Sequence, residues 1–451
     1  MRSSRHPWSP LRRRVSCCGW VFVLALNFSA DAAETGGGQL ASDWNRAVLE
    51  IAEAEDGFLT LKGVRTAAMM HLAMHDALNV NGGDFTTYAL HDGRAAARPL
   101  LAVTEAAYQI VLSQYPEAGE QLSALRRKTI GESPPSSTSD SSLAVGQAAA
   151  AAVIAKRSGD GWDTEADYRW HPMAPGVYAE FNEHSGTPEG FIFGAGWAGA
   201  RGFALSAPEQ FRSPPPPDID SAAYTRAFNE VKSVGRFQSM ERTPDQTHLA
   251  LWWKDFAESS HNRLARKLVA EEQLSLSAAV RLFALVNAAI FDAYVSSFEN
   301  KFHYNHWRPY TAIRWAANDG NSDTVAEETW TNTHRHTYAF PSYPSAHGTA
   351  CAAAMAAFED VFGDDYAFVM RTETVDIAGP FSGKINMQPA TREFANFSEA
   401  AMECGLSRVY LGIHFRYDST AGVALGRDVG SNVVRSLLMP AASPATAEST
   451  R

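Results

Sequence analysis

The stretch FPSYPSAHGTACAAAMAAF, residues 340–358, places two prolines, a serine and a histidine directly before an alanine-rich run. Pro344 restricts the entry of the chain into a helix, and Ser345 belongs to the residue types that favour the N-cap position. The backbone N–H groups of Ala346 and His347 then point outward at the positive end of the helix dipole, where anions bind. The stretch therefore predicts a helix whose first turn offers a hydroxyl, two amides and an imidazole to an anion.

A second segment, KFHYNHWRPYTAIR (301–314), carries positive charges suited to such an anion. Lys301 and Arg308 are seven residues apart, two helical turns, so on one helix they would face the same side. Pro309 predicts that the helix ends or kinks there. We expect these two cations to neutralise a tetrahedral anion bound at the serine–histidine corner.

A third segment, SRVYLGIHFRYDSTAG (407–422), adds a cation and an imidazole–carboxylate pair. Arg408 and His414 are six residues apart, and Asp418 lies one turn beyond His414, on the same face if the segment is helical. Such a carboxylate can hold one ring nitrogen of the imidazole and leave the other free and nucleophilic. The segment predicts a third cation for the anion and an oriented histidine beside it.

Apolar residues at spacings of three and four predict helices and an all-α fold with long irregular connections. The predicted helical segments are residues 40–80, 102–114, 143–157, 222–234 and 262–300. The connection 159–218 ends in RSPPPPDID, whose four prolines form a stiff spacer, so we place the main boundary there. The predicted organisation is an N-terminal bundle over 33–218, a catalytic bundle over 219–440 and a disordered tail over 441–451.

An internal sequence similarity, called the echo below, favours two related helical bundles. RTAAMMHLAMHDALNVNGGDFTTY (65–88) and RLFALVNAAIFDAYVSSFENKFHY (281–304) share six identities in 24 positions, among them Asp76 with Asp292. His71 and His75 of the first copy resemble half a metal site, but no third ligand accompanies them in sequence, so we predict no metal there.

The first 32 residues have the pattern of an export signal. Five arginines precede an apolar run from Cys17 to Phe28 and the small-residue sequence Ala30-Asp31-Ala32. The arginine run is compatible with both general secretion and twin-arginine export. The pattern predicts a secreted or periplasmic protein.

The net charge of the chain limits its partners. The formal charge is −11, and removal of residues 1–32 lowers it by four, to −15. Such a chain is a poor partner for nucleic acid or an anionic membrane surface, and no membrane span is expected in the mature chain. Cys351 and Cys404 remain after cleavage, and both a disulfide and two buried thiols are compatible with the sequence.

The order of these motifs resembles a known signature. A Lys and an Arg-Pro pair are separated by six residues, Pro-Ser-x-His follows, and the last part is Ser-Arg, five residues, His, three residues and Asp. This order is similar to the pattern shared by vanadium-dependent haloperoxidases and the type 2 phosphatidic acid phosphatase superfamily. Residues 301–418 carry it with one departure, Ala346, where the family usually has glycine. MHLAMHDALN (70–79), the proline spacer and the segment from Lys301 resemble the soluble bacterial haloperoxidase-like proteins.

The resemblance implies a role for each motif residue. His414 would bind vanadate, or attack phosphorus in a phosphatase, with Asp418 orienting its ring; His347 would contact the apical oxygen as acid or base. The equatorial oxygens would be bound by Lys301, Arg308, Ser345, the backbone amide of Ala346, and Arg408. Phe340, seven residues before His347, occupies a position that varies with halide preference in the family.

The resemblance also implies substrates and leaves alternatives open. The expected function is oxidation of a halide by hydrogen peroxide at bound vanadate, with Lys301 polarising the peroxide, a small organic acceptor and a possible homodimer. One alternative is a soluble acid phosphatase that uses His414 as nucleophile and needs no vanadate; another is a non-catalytic anion-binding or interaction protein, because of Ala346. His303, His306, His334 and His336 are candidate acid–base groups, although structural roles are the commoner reading.

Overall fold

A computed structural model describes residues 37–56, 60–93, 95–96, 98–130, 137–165, 168–179, 191–379 and 382–441. The predicted signal peptide lies outside these residues, as does the predicted tail from residue 442 onward.

The described residues form a helical protein with two small two-stranded antiparallel sheets. The helices are α1 (Gly37–Asp56), α2 (Leu61–Asn79), α3 (Pro99–Gln114), α4 (Gly119–Ile130), α5 (Ser137–Arg157), α6 (Ala222–Val234), α7 (Pro244–Trp252), α8 (Ala257–Glu271), α9 (Leu276–Tyr304), α10 (Pro309–Trp315), α11 (Ala346–Phe362), α12 (Phe397–Tyr410) and α13 (Arg416–Ser436). Strands β1 (Phe368–Arg371) and β4 (Thr391–Phe394) pair antiparallel, as do β2 (Thr374–Asp376) and β3 (Lys384–Asn386). The all-α prediction is confirmed.

Two of the predicted helical segments are each divided in two. The segment 40–80 contains α1 and α2, and α2 begins where the Thr60 hydroxyl accepts the amide of Gly63. The segment 262–300 contains most of α8 and α9, and α9 begins where the Ser275 hydroxyl accepts the amide of Ala278. Apolar periodicity continues through both breaks because both helices of each pair pack on the same core.

α2 and α9 are the two copies of the echo, and they pack against each other. On α2, Asp76 accepts the amides of residues 88, 89 and 90 at 2.6–2.8 Å. On α9, Asp292 accepts the amides of residues 203, 204 and 205 at 2.6–3.1 Å. Each aspartate thus satisfies three consecutive buried amides of a connecting segment. The shared aspartate has the same structural use in both copies, and Asp76 is committed to these amides.

α9 lies at the centre of the molecule and contacts α1, α2, α8, α11 and α13. By length and apolar composition it could cross a membrane, but 83% of its most apolar window is buried inside the protein. Its apolar surface is therefore covered by the other helices, as in a core helix.

α11 and α13 approach closely because small residues face each other. A Cβ added at Gly422 would lie 2.5 Å from the Ser345 carbonyl oxygen, and one at Gly426 would lie 2.2 Å from the Thr349 carbonyl oxygen. The alanine-rich face of α11 meets these glycines. The contact brings the start of α13 to the start of α11, where the Ser345 amide donates to the carbonyl of Asp418 at 3.0 Å.

The proline-rich spacer is held against the helices that follow it. The amide of Ser213 donates to the Asn300 side chain at 2.9 Å, and the Tyr343 hydroxyl donates to the Pro214 carbonyl. The largest hydrophobic cluster contains residues from both sides of the spacer, from Ala41 to Leu438. The boundary at residue 218 stays a prediction.

Candidate active site

His414 is held by a carboxylate and a hydroxyl. Its Nδ1 atom lies 3.0 Å from Oδ2 of Asp418 and 3.2 Å from Oγ of Ser342. The same Oδ2 accepts the Ser342 hydroxyl and the amide of Phe415. A carboxylate at Nδ1 favours the tautomer with the proton on Nδ1, which leaves the Nε2 lone pair free. His414 is therefore oriented to act through Nε2.

The predicted contact between His414 and Asp418 is present, but the two residues do not lie on one helix as predicted. His414 lies in the turn before α13, and Asp418 is the third residue of that helix. Asp418 caps the helix by accepting the Phe415 amide at 3.1 Å, which leaves His414 just outside the first turn. The four-residue spacing is met by a helix cap and not by one continuous helical face.

Burial and neighbouring cations set the charge of this pair. Burial, followed by the charges of Arg308 and Lys301, lowers the pKa of His414 well below its usual value. Burial raises the pKa of Asp418 to about 7, although Ser342 and Lys301 act in the opposite direction. The imidazole is therefore neutral at physiological pH, as a ligand or nucleophile must be.

The serine–histidine corner has the predicted form. Ser345 is the N-cap of α11, and its hydroxyl accepts the amide of Gly348 at 3.3 Å. Ala346 and His347 are the first two residues of the helix, so their amides have no intrahelical acceptor. Alanine at this position keeps both the amide and an ordinary helical backbone.

Lys301 lies in the last turn of α9 and is fully buried. Its ammonium donates to the carbonyls of Pro341, Ser342 and Pro344 at 2.6–2.9 Å. Burial lowers its pKa well below the usual value, followed by the charge of Arg308. These three bonds use all three donors of an ammonium, so Lys301 organises the loop that carries the corner.

Lys301 and Arg308 do not share a helix, contrary to the prediction. α9 ends at Tyr304, Asn305 has a left-handed φ of 47°, and Arg308 is the N-cap of α10. Pro309 starts the new helix instead of kinking the old one. The two cations converge from separate elements.

Both site arginines are tied to backbone carbonyls. Arg308 donates to the Phe340 carbonyl at 2.9 Å and to the Ile413 carbonyl at 3.0 Å. Arg408, in the last turn of α12, donates to the Trp253 carbonyl at 2.9 Å. Burial is the main cause that lowers the pKa of each, to about 10 for Arg308. The guanidinium groups are fixed in position and stay charged.

Three side-chain nitrogens of the motif are buried without a hydrogen-bond partner among the residues that the structure describes. They are Nη2 of Arg308, Nε of Arg408 and Nε2 of His347. Unpaired donors of this kind are costly in a protein interior. A bound oxyanion would satisfy the two guanidinium donors.

Phe340 forms an aromatic surface beside the cations. The Lys301 Nζ atom lies 5.2 Å from its ring centroid, and the Arg308 Cζ atom lies 4.6 Å from it. The Tyr338 ring stacks on the Phe340 ring at a centroid distance of 5.4 Å. Phe340 therefore lies beside two of the motif cations, and its part in halide choice stays a prediction.

Cys351 and Cys404 form a disulfide between α11 and α12, which resolves the alternative that the sequence left open. Each cysteine lies one helical turn from a motif residue, Cys351 after His347 and Cys404 before Arg408. One ring nitrogen of His347 and the two sulfurs lie within 4.8 Å of one another. The disulfide thus joins the two helices directly beside the site.

Sequence reasoning missed three contributors. Ser342 bonds to both His414 and Asp418, yet its only signal is its place in the quoted stretch. The Trp253 carbonyl and the Tyr338 side chain both bind Arg408. Backbone carbonyls carry no residue-type signal, so the Trp253 contact could not be read from the sequence.

Comparison with known proteins agrees with this geometry. Residues 281–441, which include every motif residue above, match the family model described as the VCPO second helical-bundle domain. A bacterial vanadium-dependent iodoperoxidase structure aligns with a TM-score of 0.72 at 21% identity, over 90% of this chain and 98% of that one. The chain has the vanadium haloperoxidase fold.

Further relatives are of the same kind. A holo-type bacterial vanadium-dependent chloroperoxidase structure aligns with a TM-score of 0.63 at 16% identity, over 82% of this chain and 90% of that one. The vanadium chloroperoxidase of Curvularia inaequalis is 27% identical over 251 residues, 45% of this chain and 41% of the relative. The match thus spans less than half of that relative. The resemblance to vanadium haloperoxidases, which are peroxidase-type oxidoreductases, is confirmed.

Proposed function

We propose that this protein is an exported vanadate-dependent haloperoxidase, which oxidises a halide with hydrogen peroxide at a vanadate bound to His414. One observation carries the proposal: Nη2 of Arg308 and Nε of Arg408 are buried without a hydrogen-bond partner among the described residues, and both charges act on the neutral imidazole of His414. Two fixed cationic donors and one ligand nitrogen are the groups that a tetrahedral oxyanion needs.

The residues present fit vanadate. Nε2 of His414 would be the ligand, and Arg308 Nη2, Arg408 Nε and the first amides of α11 would bind its oxygens. When bound, vanadate supplies a Lewis acid that activates peroxide toward halide without a change of oxidation state. The protein's own part is to hold these donors in a buried place before the ligand arrives.

His347 is the candidate acid–base group. Burial and the charge of Arg408 lower its pKa well below the usual value, so the ring is neutral. Its Nε2 atom has no hydrogen-bond partner in the part of the chain that the structure describes. A neutral imidazole at this position can accept a proton from hydrogen peroxide and return it to a product oxygen.

Lys301 fits a positioning role in addition to the predicted polarising one. Its three bonds fix the carbonyls of residues 341, 342 and 344, and so the loop before Ser345. Direct contact between Lys301 and bound peroxide would require one of these bonds to open. Peroxide polarisation by Lys301 stays a prediction.

A halide-oxidation assay tests the proposed function. Purified mature protein is given hydrogen peroxide and bromide, before and after incubation with orthovanadate, beside His414→Ala and the exposed control His91→Ala. We expect activity that requires vanadate and His414 and is retained in the control. Hydrolysis of an aryl phosphate that vanadate inhibits, without halide oxidation, would instead assign the phosphatase activity; silence in both assays would favour an anion-binding protein.

Export is supported by the N-terminal arginine and apolar pattern and by the disulfide, since disulfides persist in oxidising compartments. N-terminal sequencing of the protein from culture fluid or periplasm tests it. A mature terminus near residue 33 is expected, and an intact terminus in the cytoplasm would contradict export.

A further inference from the structure

His334 is buried, and both of its ring nitrogens lack a hydrogen-bond partner among the described residues. Its exposure is 2%. A neutral imidazole has one donor and one acceptor, and leaving both unpaired in a protein interior is costly. His334 takes no part in the contacts of the candidate active site described above. A histidine in this state is suited to bind a small ligand.

His334 begins a row of rings that leads to the candidate active site. The ring row consists of His334, His336, Tyr338 and Phe340, at every second residue. Successive ring centroids are 5.4, 5.0 and 5.4 Å apart. His334 also contacts Tyr338 directly at 5.4 Å. The last three members are partly exposed and His334 is buried, so the row runs inward from Phe340 to His334.

The ring row is joined to the site arginines. The Arg308 Cζ atom lies 5.6 Å from the Tyr338 ring centroid and 4.6 Å from that of Phe340. The Tyr338 hydroxyl is a hydrogen-bond partner of Arg408. The His334 amide donates at 3.2 Å to the carbonyl of Leu411, three residues after Arg408. His334 therefore belongs to the wall of the site and is not in its motif.

The electrostatic surroundings of His334 are positive. Burial first, then the charges of Lys254, His336, Arg408 and Arg308, lower its pKa well below the usual value. The ring is thus a neutral N–H donor placed in a positive potential. A small anion satisfies the donor and gains from the potential, whereas a cation is repelled.

We propose that His334 donates a hydrogen bond to the halide and forms, with the edges of the ring row, a halide-binding subsite beside the vanadate position. This inference rests on the proposed function, because it names the site of one substrate. A halide fits better than an oxyanion because the neighbouring rings offer few hydrogen-bond donors, and aromatic ring edges carry the positive partial charge that a large, weakly hydrated anion accepts.

A crystal soak separates this proposal from the proposed function. Crystals of the unloaded protein are soaked in sodium bromide, and bromine anomalous density is measured in wild type and in His334→Phe. We expect a peak within hydrogen-bond distance of a His334 ring nitrogen in wild type and none in the variant. This readout does not depend on turnover. No peak at His334 would overturn the subsite even if the enzyme proves active.

Steady-state kinetics supply the second readout. His334→Phe keeps a planar ring without its nitrogens, and we expect the bromide KM to rise roughly tenfold or more, with a smaller change in kcat. The peroxide KM and the apparent affinity for vanadate should stay within about twofold. His91→Phe, on an exposed histidine outside the motif segments, is the matched control.

A second substitution keeps the test decisive if the phenylalanine variant does not fold. His334→Asn retains a side-chain N–H donor group, and we expect it to keep part of the bromide affinity. An unchanged bromide KM in a folded His334 variant would overturn the proposal, as would an equal loss for bromide, peroxide and vanadate.

Discussion

Asp418 binds His414 through its side chain, with His414 Nδ1 lying 3.0 Å from Asp418 Oδ2. The same aspartate accepts the Ser345 amide through its backbone carbonyl at 3.0 Å. One residue thus fixes both the candidate vanadate ligand and the N-cap of α11. The glycine–alanine contact between α11 and α13 makes this possible, since a larger residue at Gly422 would separate the two elements.

Asp418→Asn should weaken vanadate binding. The amide keeps the size of the side chain but removes the charge that stabilises Nδ1–H on His414, and loss of such a partner costs about 10- to 100-fold in metal affinity. Vanadate affinity is measured by titration of the activity or by calorimetry. Asp428→Asn, an exposed position on the same helix, is the control; equal affinities in both variants would contradict the role of Asp418.

Ala346→Pro should remove one oxyanion donor while preserving α11. Ala346 is the first residue of the helix, where proline is tolerated, so the substitution deletes the N–H alone. We expect phosphate and vanadate to bind about tenfold more weakly. Ala346→Gly keeps the amide and should change the affinity by less than about threefold. A proline variant that folds and binds normally would show that this amide takes no part.

Glu258→Gln should change how stability depends on pH. Glu258 is fully buried against the Tyr294 hydroxyl, and burial raises its pKa from 4.5 to about 7. Between these values the native state binds more protons than the unfolded chain, so Glu258 makes the protein less stable as pH rises. From pH 5 to pH 8, the free energy of unfolding of the variant should therefore rise relative to that of wild type by up to about 3 kcal/mol.

Urea unfolding of both proteins at the two pH values measures this difference. Glu53→Gln, at an exposed position of α1, should show no such gain. If the free energies of unfolding of Glu258→Gln and wild type differ by the same amount at both pH values, Glu258 keeps an ordinary pKa.

Gly426→Ala should destabilise the protein. Its Cβ would lie 2.2 Å from the Thr349 carbonyl oxygen, so α11 and α13 would have to separate, at a cost of about 1–3 kcal/mol. Gly199→Ala places its Cβ where no atom lies within 4 Å and should be nearly neutral. Chemical denaturation compares the free energies of unfolding of the two variants. Similar losses of stability would contradict the importance of the close approach between α11 and α13.

Much of the site was predictable because the motif residues are neighbours in space through local structure. The N-cap at Ser345 and the His414–Asp418 pair follow from spacings of a few residues. The placement of Lys301 and Arg308 on one helix was wrong, since spacing alone does not show that Asn305 ends α9. Proline at the first position of a helix and proline that kinks a helix give the same sequence signal at Pro309.

Other features depend on tertiary contacts that no local pattern encodes. The carbonyls that accept the Lys301 ammonium and the Trp253 carbonyl that accepts Arg408 meet these side chains only in the folded chain. The burial of the His334 ring nitrogens without a hydrogen-bond partner among the described residues likewise arises only when distant segments meet. The echo predicted relatedness of α2 and α9, but the capping of three amides by Asp76 and Asp292 required the connecting segments to be seen in place.

A crystal structure of the protein soaked with orthovanadate tests the central claim most directly. Data collected above the vanadium absorption edge should show one anomalous peak within bonding distance of His414 Nε2, with Arg308 Nη2 and Arg408 Nε directed at its oxygens. The same crystals of His414→Ala should lose the peak. Vanadium bound elsewhere, or retained at this place without His414, would contradict the claim that a histidine-bound vanadate is the catalytic group of this protein.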